Sequence, residues 1–220
     1  MTAADDFRRA PLPIDLDRLL HDLRGPLNGA VLHVQALKRM VGDDPAAQAS
    51  LQSIQKELDR LTAMLPVAFS VCALESGPRQ RLRLRSVVES AIGEAARKRV
   101  QVEPGTWPEI DGDERLLVLA ISQLLANALE ASGDDSEVRV AVDTAQPDTV
   151  AVTIHDAGAG FKPRNPNAVM RLMASTKPGH VGIGLLVAQR IARLHGGTLT
   201  IDTAPDGGGL VRFAIARPRV

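Results

Sequence analysis

The sequence predicts an α+β chain: an antiparallel helical hairpin followed by an α/β sandwich, one mixed sheet covered by helices. Three observations carry this. Apolar residues step by three and four through the first third of the chain, in two runs separated by "VGDDPAAQ". Beyond "ESGPRQ" the period changes to short alternating segments. Those segments alternate irregularly with amphipathic helices and end in an antiparallel-looking pair of strands, which is the pattern of one mixed sheet covered by helices.

The first seam is Leu20, Leu23, Leu27, Ala30, Val34, Leu37 and Val41; the second is Leu51, Ile54, Leu58, Leu61, Leu65, Ala68 and Cys72. Each places apolar side chains at a and d positions, as in helices that pack side by side. Between them Gly42 suits a helix C′ position, Asp44 an N-cap and Pro45 an N1 position. Two helices with narrow stripes cannot enclose a core, but two hairpins can, as a dimeric four-helix bundle. The other arrangement is a hairpin docked on its own second domain; a seam running the full length of both helices favours the dimer. Pro26 and Pro66 are expected to interrupt the two helices at about the same level, close to His21, and Cys72 is expected to be a small core residue. In the second part "RLRLR" reads as a strand, "SVVESAIGEAARKR" as a helix and "VQVE" as a short strand. A helix follows from about Asp113 to Ala131, then strands "EVRVAVD" and "TVAVTIHD", an irregular stretch, the helix "GIGLLVAQRIARLHGG" and strands "TLTID" and "LVRFAIA". The expected division is a tail over 1–12, the hairpin over 13–76 and the sandwich over 77–220.

Composition excludes several classes. The 220 residues carry 26 Lys+Arg and 26 Asp+Glu, so no basic face announces a nucleic-acid binder. Aromatics are 2%, so Leu, Val, Ile and Ala must build the cores. A single cysteine rules out an internal disulfide and fits a reducing compartment. The start, "MTAADDFRRAPLPID", has no apolar run, and no stretch reads as a membrane span. The expectation is a soluble cytoplasmic protein with no membrane insertion.

Three stretches of the second part carry chemistry. "HDAGAGF" puts Asp156 at a strand end, followed by Gly158 and Gly160; a carboxylate there can accept from a base amine while the glycines admit a close ligand. "GHVGIGLL" puts Gly179, Gly182 and Gly184 at the start of a helix, where free amides favour a phosphate. "SQLLANALEAS" puts Gln123 and Asn127 on one helix face, where two amides can reach a metal ion and a phosphate together. Taken singly, each also has an ordinary structural reading: a turn, a helix start, a pair of hydrogen-bonded amides.

Their order resolves the matter. An Asn-bearing helix, then D-x-G-x-G, then G-x-G-L resembles the ATP-binding domain of the GHKL (Bergerat) type shared by gyrase, MutL, chaperone ATPases and histidine kinases. The earlier "LLHDLRGPLNGA" resembles the phosphoacceptor box of histidine kinases, H-(E/D)-L-R-x-P-L. Together they cover about residues 13 to 218, and the chain resembles a two-component sensor histidine kinase core, a HisKA-like hairpin followed by an ATPase domain.

The resemblance implies roles residue by residue. His21 matches the phosphorylated histidine, whereas His33, His155, His180 and His195 lack the flanking pattern, His195 standing where a histidine suits a helix C-terminus. Asp22 matches the acid that accepts the Nδ1 proton, so that Nε2 can attack a γ-phosphate. Asn127 matches the Mg²⁺ ligand and Asp156 the adenine reader. Gly158, Gly160, Gly182, Gly184 and Leu185 match the glycine elements that contact ATP. The stretch 162–181 matches the lid, in which "ASTKP" resembles the F-T-T-K element of the nitrogen-regulator subgroup and brings Lys177 toward the β- or γ-phosphate.

There are departures. Gln123 stands where many kinases carry asparagine and where hydrolysing relatives carry a glutamate that activates water; a neutral amide cannot be that base, which favours transfer to His21. Glu130 stands where many kinases carry lysine, so the lid is left to supply positive charge. The implied function is an ATP- and Mg²⁺-dependent histidine kinase, homodimeric, that autophosphorylates on His21. It then passes the phosphoryl group to the receiver domain of a response regulator. The alternative is a ChpT-type histidine phosphotransferase that relays phosphate without ATP; its glycine boxes are eroded, whereas "DAGAG" and "GIGL" are present here. About twenty residues precede His21, which leaves the stimulus to an upstream sensor protein, a small ligand or a domain on a longer parent. Gly25-Pro26 is expected to bend the helix beside His21, because proline costs ~3 kcal/mol and glycine ~1 kcal/mol in a helix interior.

Overall fold

The structure is a computed structural model that describes residues 14–42, 44–134, 136–161 and 184–218. The chain divides into two compact units, Met1–Ala73 and Leu74–Val220. Leu74 is buried and its carbonyl accepts from Arg190, while the Gly77 N–H donates to Asp113 at 2.8 Å, so this connecting stretch is fastened to the second unit.

In the first unit, helix α1 (Ile14–Met40) packs on helix α2 (Pro45–Cys72). The turn is built as its residue types dictate. Gly42 has φ +62°, Asp44 caps α2 by accepting from the Ala46 N–H at 3.0 Å, and Pro45 occupies the first turn. Gln48 closes the turn by donating to the Gly42 carbonyl at 2.8 Å. Both prolines lie inside their helices, which continue through them as single elements rather than breaking. Each proline removes one backbone donor, which leaves the carbonyls of Asp22 and Thr62 without their i+4 partner.

The seams are only partly covered within one chain. Leu20, Val34 and Leu51 are buried, whereas Leu23, Leu37, Ile54 and Leu61 are each between 39% and 48% exposed. Leu19, Leu32 and Met40 are exposed as well. Cys72 is exposed too, not the core residue expected, because it is the last residue of α2, where no facing helix covers it in one chain.

The second unit contains β1 (Gln80–Arg83), α3 (Leu84–Ala91), β2 (Val100–Val102), β3 (Glu109–Gly112) and α4 (Glu114–Ser132). It continues with β4 (Val138–Asp143), β5 (Thr149–His155), α5 (Gly184–Leu194), β6 (Leu199–Thr203) and β7 (Gly209–Ala216). A five-stranded sheet has the order β2-β4-β5-β7-β6, with β2 parallel to β4 and the other pairs antiparallel. Alternation decides the faces: Val138, Val140, Val150, Val152, Ile154, Val211, Phe213 and Ile215 are buried, and α4 and α5 pack on the strands that carry them.

The structure departs from the sequence reading at several elements of the second unit, beginning with "RLRLR", whose strand stops at Arg83 and whose last two residues open α3. The helix read over "SVVESAIGEAARKR" ends at Ala91, because Ile92 and Gly93 are extended, and a separate 3₁₀ turn follows over Glu94–Ala96. Strand β3 was not expected; it pairs with β1 through Leu82 opposite Ile110, so the sheet is not single but accompanied by a two-stranded ribbon. Helix α4, at 19 residues and mean hydropathy 1.2, is the one helix among the described residues long and apolar enough to cross a membrane by length and composition. It is the central helix of the sandwich, with Leu116, Leu117, Ile121, Leu124 and Leu125 buried.

His195 is the largest surprise in the core. It is 2% exposed, its Nδ1–H donates to the Ile191 carbonyl at 2.8 Å, and its Nε2 accepts from the Asp113 N–H at 3.1 Å. These partners require the neutral imidazole, so it is not a charged partner of the helix dipole. Burial holds its pKa below the ordinary histidine value, opposed in part by the bond to Ile191. Unfolding therefore lets it take up a proton, and the chain loses stability as pH falls below about 6.5. Replacing His195 by leucine strands the buried Asp113 N–H and costs about 1–3 kcal/mol at pH 8. It also flattens the acid-side slope. Urea unfolding of both proteins at pH 8 and pH 5.5 measures this; equal slopes would show that His195 does not titrate between the two states.

Candidate functional site

The site of the second unit begins with α4, which is capped by Asp113 through the Leu116 N–H at 3.3 Å. Its face carries Gln123, half-buried, and Asn127, exposed. Gly184, the first residue of α5, lies against both. A Cβ there would sit 2.8 Å from Asn127 Nδ2 and 3.4 Å from Gln123 Oε1, so any side chain would fill the space between helix start and amides. The first residue of α5 and the two amides thus meet at one place, as an anion with a cation requires. Leu185 follows, half-buried. Lys177 and Gly182, and the whole stretch expected as the lid, lie outside the described residues.

Asp156 directly follows β5 and is buried. Its Oδ1 accepts from the Gly158 N–H at 2.8 Å and the Gly209 N–H at 2.9 Å. Its Oδ2 accepts no hydrogen bond among the described residues. Gly158 is forced by space: a Cβ would lie 2.7 Å from the Ala131 carbonyl oxygen at the end of α4. Gly160 has φ +70°. Between Asp156 and Gly158 the Ala157 N–H donates to Ser132 Oγ at 3.0 Å, tying the glycine loop to α4.

The structure therefore brings Gln123 and Asn127 to Gly184, and draws Ala157 and Gly158, next to Asp156, against the last turn of α4. Sequence reasoning missed the residues that hold this loop: Ser132, Thr203 and the triplet Gly207–Gly209. The triplet, more glycine than a strand reversal needs, was the signal available. A cleft of about 280 Å³ beside Asp156 is lined jointly by the loop (Asp156, Gly158) and that turn (Gly207, Gly208), with Arg139 and His155.

His21 and Asp22 belong to the first unit, on α1. His21 is 86% exposed and its Nδ1 is 3.6 Å from Asp22 Oδ1, so neighbouring side chains on one helix do approach each other here. Gly25, one turn on, has nothing within 4 Å of where a Cβ would be.

A mixed sheet backed by helices, with an amide-bearing helix and a glycine loop around one strand-end carboxylate, defines an ATPase domain of the GHKL class. The model of the family described as histidine kinase-, DNA gyrase B-, and HSP90-like ATPase matches residues 112–219, and the second unit belongs to it. Across both units the chain is similar to sensor histidine kinases. It is 27% identical over 213 residues to the probable sensor histidine kinase TcrY of Mycobacterium tuberculosis, covering 90% of this chain and 44% of that protein. It is 29% identical over 214 residues to the sensor histidine kinase MtrB of Mycolicibacterium paratuberculosis, covering 89% and 37%. The chain thus spans less than half the length of these relatives. Among solved structures it resembles the mycobacterial sensor histidine kinase MprB, with TM-score 0.56 and 24% identity over 64% of this chain and 99% of that one. It also resembles full-length ShkA in complex with AMPPNP, with TM-score 0.58 and 19% identity over 96% of this chain and 47% of that one.

Proposed function

We propose that the chain is a histidine kinase core that transfers the γ-phosphoryl group of ATP to His21 and from there to an aspartate of a response-regulator receiver domain. The observation that carries this is the coexistence of an exposed His21–Asp22 pair on one unit with a base-and-phosphate site on the other. Asp156 Oδ2, which accepts no hydrogen bond among the described residues, would accept from the adenine amine, while Gly184 and the start of α5 suit the phosphates. Asn127 would hold Mg²⁺ together with phosphate oxygens, and the ion would neutralise charge developing on them. Asp22 holds the Nδ1 proton of His21, which leaves the Nε2 lone pair to attack. The new N–P bond forms as the bond from phosphorus to the ADP oxygen breaks, and ADP leaves. Gln123, a neutral amide, does not supply a base for water, which keeps the phosphoryl group for the histidine.

The uncovered leucines of both seams, Leu23, Leu37 and Leu61 among them, support a homodimeric four-helix bundle. A receiver domain would dock beside His21 on the same hairpin. Incubation with γ-labelled ATP tests the reading: the label should be acid-labile and base-stable, as a phosphohistidine is.

A companion activity is expected to be weak. In the family, an acid-x-x-Thr/Asn element that begins beside the histidine positions water against an aspartyl phosphate. Here it reads Asp22-Leu23-Arg24-Gly25, and Gly25 has no side chain to hold water. Residue 25 is one turn from His21 on the same face, and a Cβ fits there without contact. The wild type should therefore release phosphate slowly from a phosphorylated partner regulator in the presence of ADP, and Gly25→Thr should release it faster. Rapid release by the wild type, unchanged in Gly25→Thr, would remove the argument.

A further inference from the structure

We propose that the turn joining β6 and β7, Thr203–Gly209, is the second wall of the base site. Thr203 and Gly209 act as positioning residues that leave Asp156 one free oxygen, and so make the site selective for adenine, whose 6-position bears an amine, over guanine, whose 6-position bears a carbonyl. The proposal rests on the reading of Asp156 as the base reader.

The carboxylate is asymmetric. Oδ1 is occupied by two backbone donors, from Gly158 and Gly209, and Oδ2 by none among the described residues. An oxygen left as a bare acceptor favours an exocyclic amine and repels a carbonyl, so adenine is preferred to guanine at this position. The turn keeps the carboxylate in that rotation. The Asp156 N–H donates to the Gly209 carbonyl at 2.9 Å while the Gly209 N–H returns a bond to Oδ1. Gly208, at φ +81°, lies so close that a Cβ would be 1.8 Å from the Asp156 carbonyl oxygen. A Cβ on Gly209 would be 2.4 Å from Oδ2 itself and 2.9 Å from the Phe161 ring.

The far end of the glycine loop is held by the same turn. Thr203 Oγ1 accepts from the Phe161 N–H at 2.9 Å and donates to the Phe161 carbonyl at 2.8 Å. Behind the turn, His155 Nε2–H donates to the Gly207 carbonyl at 2.8 Å. Arg139 contacts His155 Nδ1 and bonds Asp206 at 2.8 Å. One turn therefore grips residues 156 and 161 together, which a simple reversal between β6 and β7 would not require.

The test uses the full chain and calorimetric titration with ATP and with GTP in Mg²⁺. Gly209 does not have a positive φ, so Gly209→Ala adds only the colliding methyl. It should weaken ATP at least tenfold and reduce the ATP:GTP preference. Thr203→Val, which keeps the shape and removes both bonds to Phe161, should weaken ATP several-fold, and Thr203→Ser should restore it. Autophosphorylation by Thr203→Val should show a raised KM for ATP with kcat retained. If Gly209→Ala does not fold, the Val and Ser variants at Thr203 decide alone. Wild-type affinity and preference in the turn variants, with Asp156→Asn weakened, would overturn the proposal and leave Asp156 as the base reader. Wild-type affinity in Asp156→Asn would overturn both. A loss of thermal stability with no change in the ATP:GTP ratio would also overturn the proposal, because it would make the turn structural only.

Discussion

Replacing His21 by glutamine should abolish the acid-labile label completely while ATP binding stays at the wild-type level. Glutamine keeps a polar side chain on the exposed face of α1 but has no nucleophilic lone pair of imidazole type. Because His21 belongs to the first unit and the base and phosphate groups to the second, the two readouts separate. Label persisting on His21→Gln would move the phosphoacceptor to another residue. Absence of label on the wild type, with phosphate accepted from a phosphorylated regulator, would turn the assignment toward a relay protein.

The second large effect is expected at Asp156. Asp156→Asn replaces a charged acceptor by an amide that presents either a weaker acceptor or a donor to the base. Hydrogen bonds to charged groups contribute about 1.5–3 kcal/mol, so affinity for ATP should fall roughly ten- to a hundredfold. The loss should be the same with and without Mg²⁺, since the contact is to the base. Asn127→Ala, at the amide pair against Gly184, should behave differently and weaken binding mainly when Mg²⁺ is present. Titration of both variants with ATP in Mg²⁺ and in a chelator separates the two roles. An equal loss in both conditions for Asn127→Ala would deny it the metal.

Much of the fold is legible along the chain because it rests on neighbours a few residues apart. The hairpin turn is an example: Gly42 at φ +62°, the Asp44 cap and Pro45 each act within one helical turn. The alternation of "EVRVAVD" specifies which side of β4 is buried for the same reason. Where the local signal is divided, the reading slips. "SVVESAIGEAARKR" has the composition of one helix, but Gly93 is extended and splits it. "PEIDG" has one strongly apolar residue, Ile110, and becomes a strand only because β1 lies beside it.

The sequence by itself determined the two periods, the turn chemistry of the hairpin, and the order of His21, Asn127, Asp156 and Gly184 along the chain, all properties of spacing and residue type. Tertiary structure decided that the Asp156 oxygen bonded locally by the Gly158 N–H takes its second donor from Gly209, 53 residues away, rather than sharing the donors between its two oxygens. It likewise decided that His195 is a buried neutral acceptor for Asp113, 82 residues away, rather than a charged group at a helix end. Both outcomes depend on a backbone N–H whose direction is set by the packing of β7 beside β5 and of α5 beside α4, and no local pattern carries a direction over that distance.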